Sequence, residues 1–349
     1  MIESRKYPRK IEAVGLIKAF MIALVAQLPG LRAVAARERR YLGECNHSAV
    51  SQALPRRSSL ALVQALLGLL PAPPPSKAAD LVAIDSMPVT LPATLRHGCQ
   101  AITPTTVGGG ALWAFALDAA RGVNPVRILK VIEGAWHDSR AIRDAALTAN
   151  GPVYLMDRGF YAIDLLAGWA REGVRFIVRA KRTHLRYDVE RTVGPPRRIG
   201  KLRVTLDAVV RLGRAGRRAR PRLRMVRAPL PGGDELILVS GLLGRDAAWL
   251  LEAYRQRWEI ERFHFYLKET LGLAHLYSFK AGGLAFLVHV AVLLCALLLL
   301  DPEAQGALTV DRLRDTLMRL RETLGLYGFW RPNTIRKGQT RHRKKRKNL

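Results

Sequence analysis

The sequence predicts an α/β fold, a mixed sheet with flanking helices, preceded by a small helical domain. Three observations carry that expectation. Two apolar runs, LVAID at 81–85 and PVYLMD at 152–157, each end in an aspartate, and strand-like and helical patterns alternate around them. Before residue 70 the pattern is helical only. Between the two regimes, PAPPPSK at 71–77 reads as a stiff linker.

Charge bounds the partner. The chain has 349 residues, with 57 Lys+Arg against 28 Asp+Glu, a net charge of +29 and a pI near 11.1. So large an excess repels itself in a compact state unless a polyanion is the normal partner. Nucleic acid is the first expectation and an anionic membrane surface the second. At 49% hydrophobic the chain is a folded globular one with a sizeable core. Its three cysteines, Cys45, Cys99 and Cys295, show neither metal-ligand spacing nor a disulfide framework and read as reduced thiols of a cytoplasmic protein. Residues 19–26 read as part of a first helix. Residues 284–300, LAFLVHVAVLLCALLLL, read as a buried core helix and not a membrane span.

In chain order, helices are expected over about 10–28, stopped by Pro29-Gly30, and over 31–42. A third begins at Asn46–Ser48, where a capping residue precedes small and apolar positions, and RRSSLALVQALLGLL forms a fourth. Arg37, Arg39, Arg40, Arg56 and Arg57 cluster at the helix ends, which fits a helical DNA-binding module over 1–70 with 46–57 nearest a groove. A plain helical scaffold with basic corners fits as well.

After the linker (71–80), strands are expected at 81–85, ended by Ser86 and Pro88, at 111–118 and at 124–132. A helix from Asp138 to about Ala149 follows, then a strand to Asp157, a helix, and the strand VRFIVRAK at 174–181. Functional residues of α/β sheets collect at strand ends. Converging carboxylates repel unless a cation lies between them, and Mg²⁺ is content with one or two carboxylates plus water and phosphate oxygens. Each aspartate alone could equally be a turn or cap residue.

Residues 182–240 form a β-rich insertion of four alternating segments. From Arg179 to Arg227 it carries 17 Lys+Arg against Asp188, Glu190 and Asp207, a density that fits phosphate contacts. Residues 241–328 return to the core. Within them, WLLEAYRQRWEIERFHFYLKETLG at 249–272 reads as one helix, uninterrupted by Pro or Gly until Gly272. Its Tyr254, Arg257, Glu261 and Lys268 stand at offsets of 0, 3, 7 and 14. At about 100° per residue they share an arc of roughly 60°. A solvated helix face with an i,i+4 pair is the plainer reading. The tail at 329–349 is basic, with nine Lys+Arg and no acid from Arg331 onward.

Y-x2-R-x3-E-x6-K at 254–268 resembles the YREK signature of bacterial DDE transposases of the insertion-sequence-four family. Asp157 in DRGFY, Asp85 in AIDSMPV and WHDSR at 136–140 resemble that family's surroundings of the second aspartate, the first aspartate and the stretch before the first core helix. The order strand-Asp, strand-Asp, helix-Glu is the ribonuclease-H-like plan, and the resemblance covers residues 81–272.

The resemblance implies a catalytic core in two parts, 81–181 and 241–328. Asp85, Asp157 and Glu261 would be both catalytic residues and ligands of two divalent ions, Mg²⁺ or Mn²⁺. Tyr254, Arg257, Lys268, Arg158 and Arg182 would be DNA contacts. It further implies double-stranded DNA partners, the terminal inverted repeats and the target, a homodimer in the synaptic complex, and a nucleoid-associated cytoplasmic protein with no membrane partner. The expected reaction is cleavage at the ends of the protein's own insertion sequence and joining to target DNA by two-metal phosphoryl transfer. A non-catalytic DNA-binding protein and a ribonuclease-H-like nuclease without strand transfer stay open alongside it.

Overall fold

The computed structural model describes residues 11–70, 81–90, 101–103, 106–116, 126–132, 138–145, 147–183, 185–216, 220–273, 281–303 and 309–326. The linker, the turn at 121–122, Cys99 and the basic tail lie outside them.

Five helices open the chain: α1 (Ala13–Val25), α2 (Leu31–Arg37), α3 (Arg39–Leu42), α4 (His47–Ala53) and α5 (Arg57–Leu69). The helix expected over 31–42 is broken at Glu38, whose backbone leaves the helical region. Asn46 caps α4, its side-chain oxygen accepting from the Ala49 N–H at 2.9 Å.

The strands are β1 (Leu81–Thr90), β2 (Ala101–Thr103), β3 (Thr106–Ala116), β4 (Val126–Ile132), β5 (Val153–Met156), β6 (Phe176–Arg179), β7 (Tyr187–Gly194), β8 (Arg197–Ile199), β9 (Leu202–Val204), β10 (Leu206–Leu212), β11 (Arg222–Pro229) and β12 (Glu235–Ser240). Ten of them make one mixed sheet in the order β2-β3-β1-β5-β6-β12-β11-β10-β7, with β4 also on β3. The pairs β1–β5 and β5–β6 are parallel and the others antiparallel. Strands β7 and β10–β12, from the expected insertion, thus continue the sheet past β6, while β8 and β9 stand apart as a two-stranded hairpin.

Alternation along the strands divides the side chains between two cores. Ile84, Tyr154, Met156, Phe176 and Val178 face one way, against Phe160, Leu166 and Trp169 around α7 (Ile163–Arg171). Ala83, Met87, Val153, Leu155 and Ile177 face the other, into a larger core of the N-terminal helices with α8 (Ala247–Arg255), α9 (Trp258–Phe265), α10 (Ala281–Leu298) and α11 (Thr309–Thr323). The run at 138–149 is shorter than expected, a single turn α6 (Asp138–Ala141) followed by a 3₁₀ turn at Ile142–Asp144.

α10 is the buried helix anticipated. Phe286 meets Phe20 of α1 edge-on at 6.0 Å between ring centres, and Gly282 packs so closely on Pro55 that a β-carbon would lie 3.2 Å from its carbonyl oxygen. His289 is accommodated because one ring nitrogen bonds the Ala285 carbonyl at 2.7 Å and the other meets the Gln64 amide at 3.2 Å. No helix among the described residues is long and apolar enough to cross a membrane.

The segment 249–272 is not one helix. Around Gln256 and Arg257 the backbone bonds shorten to i,i−3, with Arg257 N–H to the Tyr254 carbonyl at 3.1 Å and Ile260 N–H to the Arg257 carbonyl at 3.2 Å. After Phe265 it opens into a π turn at Tyr266–Thr270. Carbonyls at the end of that turn are claimed from elsewhere in the chain. Gln27, itself at φ 51°, donates to the Glu269 and Thr270 carbonyls at 2.7 and 2.9 Å. Arg321 donates to the Thr270 carbonyl at 2.7 Å and to that of Val25 at 2.8 Å.

Candidate active site

The last paired residues of β1 and β5 are Ile84 and Met156. The next residue on each chain is the aspartate, so Asp85 and Asp157 sit side by side one step beyond the parallel pairing. Both follow a residue of the smaller core and therefore turn to the opposite face, toward α9. Asp85 does not end its strand, contrary to the expectation from its apolar run. β1 runs on to Thr90 because β3 keeps pairing with it, Asp85 opposite Trp113. What ends at Asp85 is the neighbour β5.

Each carboxylate is held locally. Asp85 Oδ1 accepts the Ser86 N–H at 2.9 Å, and Asp157 Oδ1 accepts the Gly159 N–H at 2.6 Å, capping the 3₁₀ turn Arg158–Phe160. Burial pushes the Asp85 carboxyl up to about 7, and the negative charges of Asp157 and Asp138 add to the rise. His264, one turn beyond Glu261, places Nδ1 3.8 Å from Asp85 Oδ2. Burial, with the Lys268 and Arg257 charges, lowers that imidazole to about 3, so it is neutral at physiological pH.

Across from the aspartates, Arg257 Nη2 donates to Glu261 Oε1 at 2.5 Å, and its guanidinium carbon lies 5.7 Å from the Tyr254 ring centre. The Arg257 Nε is buried without a hydrogen-bond partner among the described residues. Burial raises the Tyr254 phenol, which stays a neutral donor, and lowers the half-buried Lys268 ammonium, which feels the Asp85 charge. Across the 3₁₀ tightening and the π turn, Tyr254 stays within electrostatic reach of Asp157, and Arg257 and Lys268 within reach of Asp85.

Asp157, Arg158, Tyr254, Arg257 and Glu261 line one cleft of about 880 Å³. The tip of the β8–β9 hairpin, Ile199 to Leu202, also lines it, adding the exposed Lys201, as do Arg179, Trp258 and the pair Glu252–Arg255. Arg182 stands outside the cleft, 3.4 Å from the Gly233 carbonyl.

The oxygen donors fit a divalent cation of the hard type. Asp85 clings to its proton because it is buried and, secondly, because the Asp157 carboxylate is near, and a cation between the two would offset both penalties. No three His, Cys, Asp or Glu side chains among the described residues form a ready cage. Magnesium sites of the kind completed by substrate phosphates do not need one.

The basic strands divide in a way the composition does not reveal. Arg224 is buried against Asp207 at 2.7 Å, Arg227 grips Glu235 with two bonds at 2.9 and 2.7 Å, and Arg179, Arg197, Arg211, Arg220 and Arg222 also have carboxylate partners. These seven arginines are thus held by carboxylates, and three of those acids, Asp234, Glu235 and Asp246, lie outside residues 179–227. Arg198, Lys201 and Arg203, exposed on the hairpin, have no carboxylate partner among the described residues.

Paired sheet aspartates lie beneath a helix bearing Arg and Glu, and Asp157 opens on a cleft whose other charged side chains are mostly basic, a set of groups with the chemistry to hold phosphate. Residues 78–299 match the family model described as the transposase DDE domain, and the chain belongs to that family. A cryo-EM structure of a piggyBac transposase synaptic complex with hairpin DNA aligns at 10% identity, over 93% of this chain and 74% of that one, with a TM-score of 0.45. No curated protein matches the sequence.

Proposed function

We propose that this DDE transposase cuts DNA at the ends of its own insertion sequence and joins them to target DNA, as the insertion-sequence-four resemblance implies. The observation that carries the reading is the placement of Asp85 and Asp157 side by side one residue beyond Ile84 and Met156, with Asp85 in reach of the Arg257 charge and Asp157 lining one cleft with Arg257 and Glu261.

In this reading Asp85 and Asp157 hold divalent ions, Mg²⁺ or Mn²⁺, and Glu261 joins them once phosphate draws Arg257 away. When bound, such ions activate the attacking oxygen and stabilise the leaving one in an in-line displacement at phosphorus. Arg257 has a buried Nε to offer a phosphate, and a planar fork suited to its oxygens. Tyr254, kept neutral by burial, donates a hydrogen bond without adding negative charge. Lys268 supplies a point charge beside Asp85, and Arg158 and Lys201 meet the backbone at the cleft mouth. Arg182 contributes from outside the cleft, along the flanking duplex. His264, neutral and against Asp85, keeps that carboxylate from turning away from Asp157.

The partner is double-stranded DNA, the terminal repeats and the target, and a homodimer pairs two ends in the synaptic complex. The test is cleavage of a duplex carrying the element's end, with Mg²⁺ and with EDTA, by wild type and by Asp157→Asn. Metal-dependent nicking at the boundary, lost in the variant, is the expected result. Binding without cleavage under every divalent ion would reduce the protein to a DNA-binding one.

A further inference from the structure

A third carboxylate stands at the two aspartates. Asp138 opens α6, and its Oδ1 accepts the Ser86 hydroxyl at 2.6 Å. Ser86 is the residue whose N–H also binds Asp85. The other oxygen of Asp138 reaches Gly159. A β-carbon there would collide with Asp138 Oδ2 and stand 2.9 Å from Asp157 Oδ1. The one position without a side chain in the turn after Asp157 is thus the space that lets the Asp138 and Asp157 carboxylates come together.

We propose that Asp138 is a positioning residue of the acid site, tying β1 at Ser86 to the turn after β5 and so fixing the spacing of Asp85 and Asp157. The two strands share no pairing beyond Ile84 and Met156, so the sheet itself does not hold the aspartates together. Asp138 spans that gap, with one oxygen on the residue after Asp85 and the other over the second residue after Asp157. Its negative charge contributes to the raised Asp85 carboxyl, which places it within electrostatic reach. Groups that orient the ligands of a metal site alter metal affinity or activity by about 10- to 100-fold when removed.

The inference rests on the reading of Asp85 and Asp157 as ion ligands, and the experiment separates the two. Mn²⁺ binding to the DNA-free protein is titrated by electron paramagnetic resonance for wild type, Asp157→Asn, Asp138→Ala, Asp138→Asn and Ser86→Ala, with metal-free melting run beside it. Asp138→Ala is expected to weaken Mn²⁺ binding by roughly 10- to 100-fold and Ser86→Ala to shift it in the same direction. Asp138→Asn, which keeps an oxygen for the Ser86 hydroxyl, should recover part of the loss. Ser86→Ala removes a single hydroxyl, so it keeps the test open if Asp138→Ala does not fold. Binding abolished in Asp157→Asn but intact in Asp138→Ala and Ser86→Ala would overturn the inference alone. So would equal impairment of the Ala and Asn variants at Asp138. Wild type binding no more Mn²⁺ than Asp157→Asn would overturn the ion-site reading, and this inference with it.

Discussion

Asp85 and Asp157 are neighbours across two parallel strands, each one residue past the pair Ile84–Met156, and only β5 stops there. Parallel strands lie about 4.8 Å apart, so the end of their pairing delivers two carboxylates close to a common point, without itself fixing the distance between them. What the strands do not provide is a counter-charge, and Arg257 and Lys268 of the facing helix supply it. The site is an acidic pair set in a basic cleft.

Glu261→Gln should abolish cleavage of an element-end duplex, because in the proposed site its carboxylate completes the ion ligands. Binding measured by fluorescence anisotropy should stay within about twofold, since Glu261 is part-exposed and its pairing with Arg257 is not what holds the helix. A fall in binding of the same size as the fall in rate would assign Glu261 to structure.

In the ion-free protein, Asp85 and His264 should tilt stability against pH in opposite senses. The Asp85 carboxyl is raised from 3.8 to about 7, so the folded state holds the extra proton in that window and stability falls as pH rises through it. The His264 imidazole is lowered from 6.5 to about 3, so the unfolded state takes the extra proton and stability falls as pH drops. Each slope is about 1.4 kcal/mol per pH unit, and they oppose one another over roughly pH 4–6.5. Asp85→Asn should therefore make urea stability fall more steeply toward acid, and His264→Gln should do the reverse. Profiles parallel to wild type in both variants would contradict the arrangement.

The two kinds of arginine in the basic strands should separate cleanly. Removing Arg198, Lys201 or Arg203 should reduce the salt slope of DNA binding by about one for each phosphate left without its cation, with melting unchanged. Arg224→Ala should instead cost about 3–5 kcal/mol of folding stability, because it strands Asp207 in the core with only Arg197 beside it. Chemical denaturation together with binding at several salt concentrations distinguishes them.

Gly159→Ala should abolish cleavage and destabilise the fold by roughly 1–3 kcal/mol, since its methyl group would enter the space shared by Asp138 and Asp157. Wild-type rates in that variant would show the turn to be more yielding than its geometry implies.

The sheet strands and the buried helix α10 were legible because apolar runs of strand length, and one of helix length, have few other places to go. Asp157 and Asp85 stood out as charged ends of such runs. The helix at 249–272 looked continuous, because no Pro or Gly marks a 3₁₀ tightening or a π turn; tertiary bonds from Gln27 and Arg321 accompany the latter. Counting within one stretch also cannot see which arginines are already paired, three of them with Asp234, Glu235 and Asp246 from outside it. Asp138 sat in a stretch noted for its sequence, yet nothing in the spacing connects it to Ser86, 52 residues away. His264 carried no signal beyond being one helical turn past Glu261.

Gln27 and Arg321 fasten the end of the π turn to the C-terminal end of α1. The N-terminal helices consequently cannot swing independently of the helix that carries Glu261 and Lys268. A duplex gripped by the first 70 residues would meet the aspartates at a constant offset, so the molecule would contain its own ruler. The nucleotide at which the strand is cut would be set by the length of the protein body between grip and site, not by a search along the DNA.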